Sequence, residues 1–101
     1  MQVTLTQNQV YTFKLNSGEE LIAKVIQSDS DFIQIEEPVS IAPMQQGMQM
    51  IPSVFTAEPK GEFRLNTNSI TMYAETEDSI KMKYIEATTG IKIPDKKLIL
   101  G

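Results

Sequence analysis

Residues Val10 to Pro38, VYTFKLNSGEELIAKVIQSDSDFIQIEEP, decide how this chain is read. Two β-rich runs meet at Asn16-Ser17-Gly18, and a second turn at Ser28-Asp29-Ser30-Asp31 leads into a third run. Tyr11-Thr12-Phe13 suits a pleated, half-buried surface, which predicts a first strand at about Val10–Asn16. Asn and Ser bond their own backbone in turns, and Gly tolerates positive φ, so Asn16 to Gly18 reads as the first hairpin turn. A second strand is predicted over about Glu20–Gln27, with Leu21, Ala23 and Val25 on one face and Ile22 and Ile26 on the other. Apolar residues on both faces imply burial on both sides, or one face in a partner interface. Phe32-Ile33-Gln34-Ile35 is the third strand, and Pro38 bends or ends its ladder.

Outward from this stretch the pattern continues. Met1 to Asn8 is a minor edge strand or a loose arm. Val39-Ser40-Ile41 continues the third strand after a bulge. The segment PMQQGMQMIP, Pro43 to Pro52, reads as a hairpin tip around Gln45-Gln46-Gly47. Met48, Met50 and Ile51 then start a fourth strand, which Val54-Phe55 end. Glu58-Pro59-Lys60-Gly61 is the strongest turn signal. A ladder resumes at Phe63 and Leu65 and ends in the Ile70–Tyr73 run.

From Thr76 the period changes. Thr76 can cap a helix, with Glu77 and Asp78 at the positive end of its dipole. Ile80, Tyr84 and Ala87 form one stripe, Met82 and Ile85 a neighbouring one, with Lys81 and Lys83 outside. Gly90 is a natural stop. The tail Ile91–Gly101 is Lys-rich, and its Leu98-Ile99-Leu100 adds a last strand or packs on the helix. The prediction is a mainly β domain over 1–101: a small, strongly bent sheet of five antiparallel strands (about 10–73), a helix (about 76–89) and a tail (91–101).

At 101 residues the length suits one domain. There are no cysteines, so disulfides, thiolate metal sites and cysteine nucleophiles are excluded. Nor are there histidines, which removes Ser-His-Asp and Cys-His mechanisms and the commonest metal ligand. The formal net charge of −4 argues against duplex DNA, whose binding draws on neutralised phosphates. Residues MQVTLTQNQV lack the charged start and apolar run of a signal peptide. No apolar run approaches the ~20 residues that span a bilayer. The expectation is a soluble, cytoplasmic chain that uses no membrane.

No constellation of catalytic residues stands out, and the chain is expected not to be an enzyme. Asp29-Ser30-Asp31 offers carboxylates to a hard cation but lacks the rest of a calcium loop, so an Asx-rich turn is the competing reading and no metal is assigned. Glu19-Glu20 and Glu36-Glu37 are adjacent on strands and point to opposite faces, so neither pair acts jointly. The glycines form no phosphate-cradling loop, and no cofactor is expected. Met44, Met48 and Met50 suit an adaptable binding surface or a core and subunit contact. Lys60, Arg64, Lys96 and Lys97 are phosphate contacts or solvated charge. Tyr11, Phe13, Phe32 and Tyr73 stack on bases of single-stranded RNA or pack in the core.

The run Val10–Ile35 resembles the first signature of the Sm-like (LSm) family. Its apolar strand, turn ending in glycine, second strand, Asp-bearing turn and third strand appear as Tyr11–Leu15, Asn16-Ser17-Gly18, Glu20–Gln27, Asp29 and Phe32–Ile35. Ile70-Thr71-Met72-Tyr73 looks like the family's short fifth strand, with Asn68-Ser69 where the second signature lies. The nearest tone is that of divergent members from phages of marine bacteria, which would place the chain in a host cytoplasm. The resemblance implies a five-stranded open barrel and a homo-oligomeric ring of about five to seven subunits. It also implies binding of single-stranded RNA or an RNA-processing adaptor role, with Asp29, Phe32, Arg64 and Asn66 near the pore. The alternative is a structural or protein-interaction ring that has lost RNA recognition.

The chain departs from the family pattern at several positions. Its second signature glycine is Ala23 here. Counting from Asp29, the base-stacking position is Asp31 and the base-reading Asn is Ile33; a one-residue shift gives the stacking role to Phe32. The basic pair before the fifth strand aligns with Asn66-Thr67, with Arg64 two residues early.

Overall fold

The computed structural model describes residues 5–90. Six strands form one antiparallel sheet, and a helix follows: β1 Val10–Leu15, β2 Glu20–Ser28, β3 Phe32–Met44, β4 Gly47–Pro52, β5 Phe63–Asn66, β6 Ile70–Glu75 and α1 Asp78–Thr89. The strand order is β4-β3-β2-β1-β6, with β5 also paired to β3. The predicted mainly β fold with a C-terminal helix is what the chain adopts. Leu98 to Leu100, Lys96 and Lys97 lie outside the described residues, as do residues 1–4 of the predicted arm; Leu5 to Asn8 form no strand.

The turns follow from their residues. Gly18 sits at φ 96°, which a side chain would resist, and its N–H donates to Leu15 O at 2.9 Å. At the next turn Asp29 Oδ1 accepts from the backbone N–H groups of Asp31 and Phe32 at 2.8 and 3.0 Å, so the side chain itself folds the corner.

The sheet becomes barrel-like through one bend. Strand β3 is continuous for 13 residues, but Glu37 lies in the left-handed region at φ 51° and the β2–β3 register shifts there. Glu37 N–H leaves the ladder for Pro59 O at 2.8 Å, and Pro38 O accepts from Ser53 N–H at 3.0 Å. Pro38 therefore bends the ladder without ending it. The edge partner of β3 does not follow this bend as one strand: β4 pairs with Val39–Met44, and β5 with Phe32–Ile35. Where the sequence predicts one fourth strand reaching Phe55, Pro52 ends β4, since it has no N–H to extend the ladder. Val54 and Phe55 are exposed on the connection.

Both faces of the sheet are buried. Inside, Tyr11, Phe13, Leu21, Ala23, Val25, Ile33, Ile35 and Ile70 form the barrel core. Outside, Val10, Ile22 and Val39 pack under Tyr84 of α1, with Ile41, Met50, Ile80 and Ile85 around them. The two-faced pattern of β2 thus reports burial against the chain's own helix.

Helix α1 starts one residue later than a Thr76 cap requires. Glu77 is the N-cap and makes no side-chain capping bond, because the hydroxyl of buried Thr76 is engaged with Thr12 Oγ1 at 2.9 Å. Tyr84 is the buried residue of the predicted stripe, while Ala87 is exposed. Gly90 ends the helix at φ 76°, its N–H on Glu86 O at 3.0 Å.

Candidate functional site

Three turns converge at one end of the barrel. The first is Asn16 to Gly18, the second Ser28 to Asp31, and the third a single 3-10 turn, Thr67–Ser69, between β5 and β6. Asn16 ties the first to the third: its N–H donates to Ser69 O at 2.8 Å, its Nδ2 to Asn68 O at 2.8 Å, and its Oδ1 accepts from Thr71 Oγ1 at 2.6 Å. Thr67 ties the third to the second. It is 1% exposed, its N–H reaches Asp31 O at 3.0 Å, and its hydroxyl donates to Ser30 O at 2.9 Å. A buried hydroxyl costs free energy unless bonded, and here two turns share the bond.

This framework brings the four residues Asp29, Phe32, Arg64 and Asn66 together. Phe32 opens β3 and stands opposite Asn66 in β5, while Gln34 stands opposite Arg64. Phe32 is 42% exposed, and the Arg64 guanidinium carbon lies 5.7 Å from its ring centre, within cation–π range. The same guanidinium pairs with Glu62 at 3.3 Å. Asn66 Oδ1 caps the 3-10 turn by accepting from Asn68 N–H at 2.8 Å. Two backbone amides hold the Asp29 carboxyl below the ordinary aspartate range, and Arg64 adds a smaller pull in the same direction.

The patch can present an aromatic face and a guanidinium to a planar group. Ile33 cannot read a base, because it is wholly buried in the barrel core. Of the other aromatics, Tyr11 and Phe13 are core and Tyr73 is exposed on β6. Asp29 Oδ1 accepts from both amides of its turn, and among the described residues no group of three or more His, Cys, Asp or Glu side chains could hold a metal ion. Glu19 is bonded to Ser40 across β2 and β3, away from Glu36 and Glu37 at the bend. Thr67 is the residue that sequence reasoning missed: it is placed only by the fit between two distant turns.

Among the described residues no helix is long and apolar enough to cross a membrane. Neither a scan against protein-family models nor a search of the curated proteins finds a match for this chain.

Proposed function

We propose that this chain is an Sm-like ring-forming module that contacts single-stranded RNA through the Phe32–Arg64 patch. The observation that carries the reading is that one bent sheet ends in unpaired edges: β4 and β5 on one side and β6 on the other each pair with one strand only among the described residues. Unpaired edges invite another strand, and a head-to-tail contact whose rotation closes gives a ring. An exposed ring under a guanidinium suits stacking on an unpaired base. Light scattering coupled to gel filtration is expected to give one mass several times the 11.3 kDa of the chain. Fluorescence anisotropy with uridine-rich and adenine-rich oligonucleotides at low salt is expected to show binding that Phe32→Ala weakens. A monomer removes the ring; an assembled protein that binds neither oligonucleotide at micromolar concentration removes the RNA.

The second reading is a protein-interaction ring without RNA recognition. Buried Ile33 at the base-reading position and the Glu62 carboxylate paired to Arg64 favour it. Partners that stay bound in a pull-down after nuclease treatment separate it from the first.

A further inference from the structure

Strand register places a polar side chain beside Phe32 that no short motif points to. Ile33 and Ile35 are in the barrel core, so Phe32 and Gln34, which alternate with them, face outward. Phe63 and Leu65 pack against the same core, so Arg64 and Asn66 share that outer face. Gln34 stands opposite Arg64 in β5 on one flank and opposite Gln27 in β2 on the other. Directly opposite residues of an antiparallel pair lie on one face with Cβ atoms about 5 Å apart. Arg64, Gln34 and Gln27 therefore form one row across three strands, next to the row of Phe32 and Asn66. The row beyond, Lys24 opposite Glu36, is charged and bounds the patch.

The other polar groups around Phe32 are committed. Asn66 Oδ1 accepts from Asn68 N–H, Arg64 pairs with Glu62, and Asp29 Oδ1 takes the two amides of its turn. The side-chain amide of Gln34 makes no hydrogen bond to another described residue. Gln34 is also half-buried, and a side chain already partly enclosed gives up less freedom when it binds. An amide sets an acceptor and a donor side by side. Adenine answers that pair with its N7 acceptor and N6–H donor, whereas guanine offers two acceptors, N7 and O6, which call for a guanidinium. The guanidinium of Arg64 is held by Glu62.

We infer that Gln34 selects among unpaired bases stacked at the Phe32–Arg64 patch, and that it favours adenine. The inference rests on the RNA reading above. The base lies on Phe32, and its N6–N7 edge turns toward Gln34, the next outward residue of β3, about 7 Å along the strand.

Fluorescence anisotropy tests this with oligoribonucleotides of equal length made of adenosine, of uridine or of 7-deazaadenosine, which keeps the purine ring and lacks N7. Wild-type protein is expected to bind the adenosine oligomer about fivefold or more tighter than the deaza oligomer, the lower end of what a bidentate base contact discriminates. Gln34→Ala abolishes that preference and leaves uridine binding unchanged. Gln34→Met, which keeps the side chain's length without its amide, does the same. Phe32→Ala weakens all three oligomers. A wild-type protein without the preference, or a Gln34→Met protein that keeps it, overturns the role of Gln34 and leaves the RNA reading standing. A wild-type protein that binds none of the three overturns both.

Discussion

The two faces of β1, β2 and β3 are buried by different means. The inner face closes on itself: Phe13, Ala23, Val25 and Ile33 are fully shielded by other strands of the same bent sheet. The outer face is covered by one helix, over Val10, Ile22 and Val39 with Ile41 and Met50 beside them. Beyond the helix the outer face is bare at Met48 and Met72. A small chain can therefore complete one core alone and leave the second unfinished at its rim.

The comparison breaks most readily in the inner core. Phe13→Ala leaves a cavity where no element can move in, and the expected loss is about 3–5 kcal/mol. Ile22→Ala sits under α1, which can settle toward the gap, and should fall at the low end of about 2–5 kcal/mol. Chemical denaturation of both variants ranks the faces; a larger loss for Ile22→Ala would mean that the helix is the more rigid wall.

The outer face differs again in having a polar fastening. The Tyr84 hydroxyl donates to Glu37 O at 2.8 Å, with Glu36 O at 3.3 Å, at the point where β3 bends. The phenol thus ties the helix to the backbone of the bend. Tyr84→Phe removes that donor from both carbonyls, for an expected loss of about 0.5–1.5 kcal/mol. Burial, with a smaller contribution from the Glu37 carboxylate, raises the phenol above its ordinary value of 10.0. Above that pH the unfolded chain releases a proton that the folded chain keeps, so stability falls as pH rises. The Tyr84→Phe protein should show a shallower alkaline fall in its urea midpoint. An unchanged slope would separate the phenol from the alkaline response.

These features differ in how far the sequence announces them. Alternation in β2 and the turn residues at Gly18 and Asp29 are local, and each element they predict is present within a residue or so. The bend at Glu37 is not local: it needs Pro59, 22 positions on, to take the freed N–H. The same bend leaves β3 with two edge partners: β4, the expected fourth strand cut short at Pro52, and β5, the start of the ladder expected from Phe63 to Tyr73, which the turn Thr67–Ser69 interrupts. Thr76 looks like a helix cap by residue type, yet Thr12, 64 positions away, takes its hydroxyl first. At the turn end, Asp29 and Phe32 are legible as neighbours because one turn holds both. Arg64 and Asn66 join them only through the β3–β5 pairing, which no short motif encodes.

The turn end offers the finest test of whether charge or geometry holds a corner of the sheet. Asp29 folds its turn with one carboxylate oxygen on two amides, and its folded pKa lies below the ordinary 3.8. Because the folded value is the lower one, the stabilisation is fully present above 3.8 and is lost as pH falls through the folded value. Asp29→Asn retains a carbonyl oxygen for the same two amides but carries no charge for them or for Arg64. The wild-type protein should therefore be the more stable at neutral pH, by a small margin because the group is fully solvent-exposed and screened. That margin should shrink to nothing in acid, where the aspartate is itself neutral. Urea midpoints of the two proteins measured side by side from neutral to acidic pH read the difference directly. A gap that stays constant with pH would mean that oxygen geometry, and not the carboxylate charge, holds the corner on which Phe32 stands.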